Sequence, residues 1–501
     1  MVIRTDAGTR IGSGHLMRCI ALAQAWVDEG GEALVLMGPG QSPAEGSLAE
    51  EHLEIRHLDI IPGCGDDARE TVRAAEGLGA GWVVLDGYHF DGDYQRTLKE
   101  SGLSLLLIDD LGQAGPYHAD IILNPNLYAD EMLYRGAGPS TRFLIGPRYA
   151  LLRREFAPWR GRFPEIPGVA RRILLSLGGA DPGNITLAMI GCLQGLAVEG
   201  LGLVVVAGAN NPHYQTLEAR IAGLRNITLV QDTRHISELM ASSDLAITGG
   251  GVTCFELAFM GVPALVVILS ENQRPVAESF ERAGSAVNLG EESKAVSNAG
   301  AERILGVICS PDIRRSLSRS GQDLVDGDGA GRIVMHLKGE PFRLRRARES
   351  DCRLLWEWAN DPEVRRNAFS QDAIPWEDHV IWFRGRLADS RCVHFCAFDA
   401  GDRPIGQIRF DLKGGEAEVD VSIDRNLRSR GYGSALIRAG VVKIARIWNP
   451  GNIIARVRKG NTASIQSFQK AGFAIDKEEE VGGSRVVRLK WNGSLNTGRS
   501  E

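Results

Sequence analysis

The chain has 501 residues, 44% of them apolar and 24% charged, with a formal net charge of −6. At about 100 to 200 residues per domain, that length predicts roughly three domains, and the mild acidity excludes a general electrostatic attraction to nucleic acid or an anionic membrane. No apolar run approaches the roughly 18 residues that span a bilayer, and the N-terminus reads directly as a strand, so neither membrane insertion nor a leader is expected. Eight cysteines, at 19, 64, 192, 254, 309, 352, 392 and 396, include no Cys-x-x-Cys pair and predict buried thiols in a reducing cytoplasm.

Residues Val2 to Asp6 read as a short buried strand, and Leu16, Cys19, Ile20, Ala23 and Trp26 then recur at helical spacing. Between them Arg4-Thr5-Asp6-Ala7-Gly8 runs into Ile11-Gly12-Ser13-Gly14-His15-Leu16-Met17-Arg18, which puts Gly12 and Gly14 at a strand-to-helix turn. Unpaired N–H groups and the positive helix end at such a turn suit a diphosphate. The same positive end disfavours imidazolium, so His15 is a candidate general base for an attacking water; a histidine that only caps or packs the first turn is the alternative. Met17 stands where a dinucleotide fingerprint has its third glycine, which disfavours a nicotinamide cofactor.

Apolar runs at Ala33 to Met37, Trp82 to Asp86, Leu105 to Asp109 and Ile121 to Asn124 alternate with helical stretches over 1–156, the pattern of a parallel sheet covered by helices. A second set over 157–337 begins at Arg172-Ile173-Leu174-Leu175-Ser176-Leu177-Gly178-Gly179 and continues through Leu203 to Ala207, Ile227 to Val230, Leu245 to Thr248 and Pro263 to Ile268. Here Gly249-Gly250-Gly251 ends a strand, and Thr253 and Glu256 open the next helix. The glycines let amides approach phosphate oxygens, and the Glu256 carboxylate can accept from both ribose hydroxyls. Glu271-Asn272-Gln273 follows the next strand, where Asn272 and Gln273 carry amides suited to sugar hydroxyls or acetamido groups. Asp86, Asp109 and Asp110 could bind magnesium, or simply cap their loops.

After a loop-like stretch near Gly327, a last helix or strand ends near Leu337, and the pattern changes to that of a separate α+β domain over 341–491. Glu416 to Ile423 alternates as a strand, and Arg428-Ser429-Arg430-Gly431-Tyr432-Gly433-Ser434 leads into a helix, so successive amides can wrap a pyrophosphate. Trp358 and Trp382 read as core aromatics. Cys392, His394 and Cys396 would share one strand face with no evident fourth ligand, so packing is expected rather than zinc, and no metal site is assigned.

Residues 1–337 resemble the PseG-type UDP-2,4-diacetamido-2,4,6-trideoxy-β-L-altropyranose hydrolases, a MurG-like GT-B family. The resemblance runs through Arg4-x-Asp6, Ile11-Gly12-x-Gly14-His15-x-x-Arg18, Asp86-Gly87-Tyr88, Ile108-Asp109-Asp110, Leu123-Asn124-Pro125-Asn126, Gly146-Pro147-Arg148-Tyr149, Leu177-Gly178-Gly179-x-Asp181 and Glu271-Asn272-Gln273. It implies metal-independent, inverting hydrolysis at the anomeric C–O bond, with His15 activating water, Tyr88 beside the sugar and diphosphate, and Glu256 on the uridine ribose. Arg4, Asp6, Gly12, Gly14, Arg18, Tyr149, Gly178, Gly179, Gly250, Gly251, Thr253, Asn272 and Gln273 complete the expected UDP-sugar contacts.

Residues 341–491 resemble the GNAT acetyltransferases, through the Arg428 to Ser434 loop, Asn461-Thr462-Ala463-Ser464 and Phe468-Gln469-Lys470-Ala471-Gly472-Phe473. This implies acetyl-CoA held by Val421, Ile423, Arg428, Arg430, Gly431, Tyr432, Gly433, Ser434, Asn461 and Ser464. Glu418 is the expected general base, with Glu416 and Asp420 as rivals on the same strand face. Phe468 replaces the tyrosine that protonates the leaving thiolate in many relatives, which leaves water or Tyr432 for that role. The helix from Leu354 to Arg365 and His379-Val380-Ile381-Trp382-Phe383 resemble the GNAT branch that acetylates the 4-amino precursor of pseudaminic acid.

The expected architecture is therefore α/β, a GT-B-type pair of Rossmann-like domains followed by an α+β GNAT domain. The expected activity is two consecutive steps of pseudaminic acid biosynthesis, acetylation of a UDP-linked 4-amino sugar and release of UDP from the product. A MurG-like UDP-sugar glycosyltransferase and a hydrolase with a non-catalytic acetyl-CoA sensor are the alternatives.

Overall fold

The computed structural model describes residues 1–8, 12–39, 53–179, 181–208, 211–231, 233 and 235–493. Ile11 of the His15 motif and the tail beyond residue 493 lie outside them. The chain divides into two compact units, Met1–Leu337 and Lys338–Glu501.

In the first unit, strands β1 (Val2–Thr5), β2 (Leu34–Met37), β3 (Glu54–His57), β4 (Trp82–Asp86), β5 (Ser104–Ile108), β6 (Ile121–Asn124) and β7 (Arg142–Ile145) form a parallel sheet of order β3-β2-β1-β4-β5-β6-β7. A second parallel sheet, of order β10-β9-β8-β11-β12-β13, contains β8 (Arg172–Ser176), β9 (Gly202–Ala207), β10 (Ile227–Gln231), β11 (Leu245–Gly249), β12 (Ala264–Ile268) and β13 (Ala286–Glu291). Central parallel strands are covered by helices on both faces, which is why they read as unbroken apolar runs such as Val83-Val84-Leu85. The three strands that the apolar pattern misses, β3, β7 and β13, are all sheet edges. Their half-solvated positions tolerate sequences such as Glu54-Ile55-Arg56-His57.

Both sheets reverse their strand order beside their first strand, between β1 and β4 and between β8 and β11. Such a reversal sends the two following connections to opposite faces and opens a crevice at the carboxyl ends of the strands. The halves are tied by two crossings. Ala150 and Phe156, just past β7, join the core of the second half, while the closing helix Gly329–Lys338 returns Ile333, Val334 and Leu337 to the core of the first. That helix was expected to close the second half; its apolar face completes the first instead. Gly329 allows the return, since a Cβ there would stand 2.2 Å from the Ala150 carbonyl oxygen.

Gly208, just after β9, meets the turn that follows β8 so closely that a Cβ would lie 2.4 Å from Gly179 Cα. Gly208→Ala is expected to cost roughly 1–3 kcal/mol through overpacking and to displace the Gly178-Gly179 turn. Urea unfolding and UDP binding, measured on the full chain, check both effects.

The second unit has one seven-stranded sheet of order β14-β15-β16-β17-β18-β20-β19. Its strands are β14 (Arg343–Arg346), β15 (Cys392–Phe398), β16 (Pro404–Lys413), β17 (Glu416–Ile423), β18 (Asn452–Arg458), β19 (Phe473–Val481) and β20 (Ser484–Trp491). The helices Tyr432–Trp448 and Thr462–Lys470 bury Leu436, Ile437, Val441 and Phe468 against one face. Cys352–Ala359 and Trp376–Ala388 bury Leu355, Trp358 and Phe383 against the other. β17 and β18 are the parallel pair, matched only from Glu416 to Val419 and from Asn452 to Ala455. Past Val419 the two strands part.

Candidate active sites

His15 is the second residue of the helix Gly14–Asp28, which follows β1; Asp86 ends β4, the neighbouring strand across the order reversal. The topology thus brings two residues 71 positions apart to one point, His15 Nδ1 lying 2.6 Å from Asp86 Oδ1. Arg18 Nη2 lies farther from the same nitrogen, at 3.1 Å. The closer carboxylate oxygen accepts, so in the neutral ring Nδ1 carries the proton and Nε2 the lone pair. The helix end was expected to set the state of His15; the structure adds a carboxylate that chooses its tautomer.

Asp86 is fully buried and accepts from Arg18 through both oxygens, at 2.6 Å each. Burial alone would raise its carboxyl pKa, but the charges of Arg18 and His15 and their hydrogen bonds hold it well below the usual carboxylate range. Arg18 also forks onto Asp110 at 2.8 and 2.9 Å, and Asn126 donates to Asp110 at 2.9 Å. Arg18 was expected to touch substrate; its donors are instead spent on these two carboxylates, so its place is to hold Asp86. Asp109 accepts from the Leu111 and Gly112 N–H groups and from the Tyr117 hydroxyl. The three aspartates considered for magnesium are therefore occupied by a guanidinium, ring and hydroxyl groups, and backbone donors.

Arg4, also expected at the substrate, is fully buried within β1, bidentate to Asp67 at 2.9 and 3.1 Å and bonded to Asp6 at 2.7 Å. This is the arrangement a buried guanidinium requires, and it leaves Arg4 no reach into the crevice. Asp6 also accepts from Gly38 N and lies 2.9 Å from His89 Nε2. Burial raises its pKa, but His89, Arg4 and the Gly38 N–H outweigh burial and pull it down to about 2. A depressed carboxyl stabilises the fold above its unfolded value and loses that contribution as pH falls through the folded one. About 2 kcal/mol of stability is therefore expected to vanish between roughly pH 4 and 2. Urea midpoints at pH 5 and pH 3 test this, and Asp6→Asn should flatten the difference.

Across the crevice, the helices Gly14–Asp28 and Thr253–Met260 both begin without a side-chain cap. A Cβ on Gly14 would touch Val252 at 3.7 Å, and one on Gly179 would stand 3.3 Å from Ser13 Oγ. Gly12 and Gly178 take the left-handed conformation, with φ of 76° and 96°. The two helix ends and the Gly178-Gly179 turn thus converge, an arrangement that can hold a diphosphate; at the second end the Cys254 and Phe255 N–H groups bond the Gly251 and Val252 carbonyls, both at 3.0 Å. Gly250 and Gly251 form the turn into Thr253. Gln273, expected on the sugar, braces that turn instead, its Oε1 accepting from Gly250 N at 3.0 Å and Leu269 N at 3.2 Å. Glu256 is buried, with Oε1 accepting from Arg153 at 3.0 Å.

Asn272 does reach the crevice, donating to the Tyr88 hydroxyl at 3.2 Å from the opposite half. Tyr88 is 51% exposed and stands edge-on to the His15 ring at 5.0 Å. Tyr149 is not brought here. It is 8% exposed, packed in the first core against the closing helix.

In the second unit, the parting of β17 and β18 leaves a gap lined by backbone. Asp424 N bonds Ile405 O on β16, so by strand alternation the N–H groups of Val421 and Ile423 point away from β16 and into the gap. Gly431, with φ of 86°, precedes the uncapped Tyr432–Trp448 helix, whose first turn contains Tyr432, Gly433 and Ser434 and no acidic residue. Arg430 is exposed beside it. A pyrophosphate fits such a turn. Arg428 was expected there, but its guanidinium pairs with Asp361 and Glu363 at 2.8 and 2.7 Å. Asn461 Oδ1 is committed to capping its own helix through Ser464 N at 3.2 Å. Glu418, the expected base, is tied to Arg456 at 3.0 Å and Lys413 at 3.6 Å. Phe468 is buried in the core. Trp358 is core, whereas Trp382, also expected inside, is 37% exposed.

Residues 178–299 match the glycosyltransferase family 28 C-terminal domain, and residues 342–474 match the GNAT acetyltransferase domain. A nucleotide-sugar unit of the family 28 type is fused to a GNAT acetyltransferase domain. The chain is 24% identical, over 67% of its length and 97% of the relative's, to the spore coat polysaccharide biosynthesis protein SpsG of Bacillus subtilis. It is 25% identical, over 57% of its length and 97% of the relative's, to the UDP-2,4-diacetamido-2,4,6-trideoxy-β-L-altropyranose hydrolase of Campylobacter jejuni. An uncharacterized protein of Methanocaldococcus jannaschii, MJ1062, is 21% identical over 95% of this chain and 97% of its own length, so the similarity there spans both units.

Within the nucleotide-sugar unit, Asp86 and Asp110 are the residues that pattern reading left outside the site. The one available signal was position, since Asp86 and Asp109-Asp110 each follow an apolar strand whose carboxyl end borders the crevice. No local spacing announces that Arg18, 68 and 92 positions away, ties the two together.

Proposed function

We propose that the nucleotide-sugar unit hydrolyses the anomeric C–O bond of a UDP-linked diacetamido sugar, and that the GNAT domain N-acetylates the 4-amino precursor of that sugar with acetyl-CoA. The observation that carries the first part is the His15–Asp86 pair, set at the strand-order reversal where the uncapped end of its own helix meets that of Thr253–Met260. Water gives its proton to His15 Nε2 as its oxygen bonds carbon 1 from the face opposite the nucleotide, with inversion. The bond from carbon 1 to the diphosphate breaks and UDP leaves as an anion, which calls for backbone N–H donors rather than a general acid. No metal takes part in this scheme. The C. jejuni relative, named as a hydrolase of the altropyranose sugar, supports the sugar class and the pseudaminic acid assignment, and the scattered free thiols are in keeping with a cytoplasmic setting.

For the second part, the gap between β17 and β18 and the Gly431 turn offer an acetyl-CoA site. Phe468, which has no hydroxyl to protonate a leaving thiolate, favours a second reading, in which acetyl-CoA is bound but not consumed. Proton NMR of the full chain with UDP-4-amino-4,6-dideoxy-β-L-AltNAc, with and without acetyl-CoA, separates the readings. Appearance of a second N-acetyl signal followed by UDP and free sugar supports the two-step enzyme. UDP release that requires an added acceptor supports a glycosyltransferase, and hydrolysis of the diacetamido compound without any acetylation supports a sensor.

A further inference from the structure

The even-numbered residues of β17 present four polar side chains on the face opposite the Val419 and Val421 core, and three of them are acids. Two of the three are held by a guanidinium at 3.0 Å or closer. Both oxygens of Glu416 accept from Arg488 Nη2, at 2.8 and 2.9 Å. Glu418 is shared by Arg456 and Lys413, while Arg456 also binds Glu479 at 2.7 Å. Both acids lie where β17 is still paired with β18.

Asp420 differs in position and surroundings. It is the first residue beyond the paired segment, at the mouth of the gap, with a side chain 54% exposed. One oxygen accepts from Gln407 Nε2 at 3.0 Å, and the other faces Arg409 at 3.5 Å. Gln407 is itself oriented, because His394 Nε2 lies 2.7 Å from its Oε1. Burial and the neighbouring Arg409 charge hold the His394 ring down at about 4. It is therefore neutral at pH 7, donates through Nε2 and turns the Gln407 amide nitrogen toward Asp420. Arg409 lies across from Asp420 in register and stands 5.1 Å from the Trp382 ring centre. Arg409 thus stands between the Asp420 carboxylate and the partly exposed Trp382 ring, on the β16 side of β17.

We propose that Asp420, braced by Gln407 and His394, anchors the ammonium group of the acetyl acceptor at the mouth of the β17–β18 gap, in place of Glu418. This rests on the acetyltransferase reading above. The acceptor class is a primary amine carried on a ring, its charge on Asp420 and its ring against Trp382. Once the bound ammonium has released a proton to water, its nitrogen bonds the thioester carbon, the C–S bond breaks, and the CoA sulfur leaves as the thiol, taking up the second proton that the nitrogen sheds as the amide forms.

Steady-state kinetics of the full chain with acetyl-CoA and UDP-4-amino-4,6-dideoxy-β-L-AltNAc, together with acetyl-CoA binding by calorimetry, test the assignment. Asp420→Asn is expected to raise KM for the amine about 10- to 100-fold, the value of a charge-assisted hydrogen bond, with acetyl-CoA affinity retained. Glu418→Gln should change the same KM less than about 3-fold, as for an exposed ion pair. An unchanged KM in Asp420→Asn, or a larger loss in Glu418→Gln, overturns the proposal while the acetyltransferase reading stands. Wild-type protein that binds acetyl-CoA but acetylates no amine overturns both.

Discussion

Replacing His15 by alanine is expected to lower UDP release about 10²- to 10⁴-fold, the usual weight of a positioned general base, while acetylation by the GNAT domain persists. The substitution keeps a good helix former in the first turn of Gly14–Asp28, and Asp86 retains both bonds to Arg18. The fold therefore has little reason to change. Because the two proposed activities are assigned to separate units of one chain, acetyl transfer serves as an internal control for folding and concentration. Unimpaired UDP release in His15→Ala would move the base elsewhere.

Replacing Asp86 by asparagine is the second large effect, and it acts twice. An amide nitrogen facing His15 Nδ1 donates rather than accepts, which transfers the ring proton to Nε2 and removes the lone pair that would receive a proton from water. A loss of about 10³- to 10⁴-fold in turnover is expected, as when the orienting carboxylate of a serine-protease triad is amidated. The same change leaves Arg18 buried with only Asp110 as its charge partner, at an expected cost of about 3–5 kcal/mol. Turnover and urea unfolding must therefore be measured on the same preparation. A stable Asp86→Asn variant with normal turnover would sink the orienting role, and a destabilised one with normal turnover at low temperature would leave Asp86 a purely structural acid.

The central strands were legible because burial on both faces imposes an apolar run, as at Trp82–Asp86 and Ile121–Asn124, whose limits the pattern located to the residue. The edges were not, because one open side lets Arg56 and Arg142 stand where an interior strand would need valine. The turn before His15 was legible for a local reason, glycines between a strand and an amphipathic helix. The destinations of polar side chains were not. Arg4 and Arg18 look alike as basic residues of one motif, yet Arg4 points to Asp67 and Arg18 to Asp86 and Asp110, partners 63, 68 and 92 positions away. The same holds for Tyr149, drawn into a core completed by a helix some 180 residues later.

By itself, then, the sequence determined the α/β class, the two parallel sheets, the separate GNAT domain and the glycine turns at which phosphates can be held. These depend on periodicity and on backbone freedom, which are properties of short segments. Only the tertiary structure decided which nitrogen of His15 is free, which arginines are spent on structure and which acid of β17 lies open at the gap. Each of those depends on a partner brought near by strand order, and strand order is set by the packing of the whole sheet.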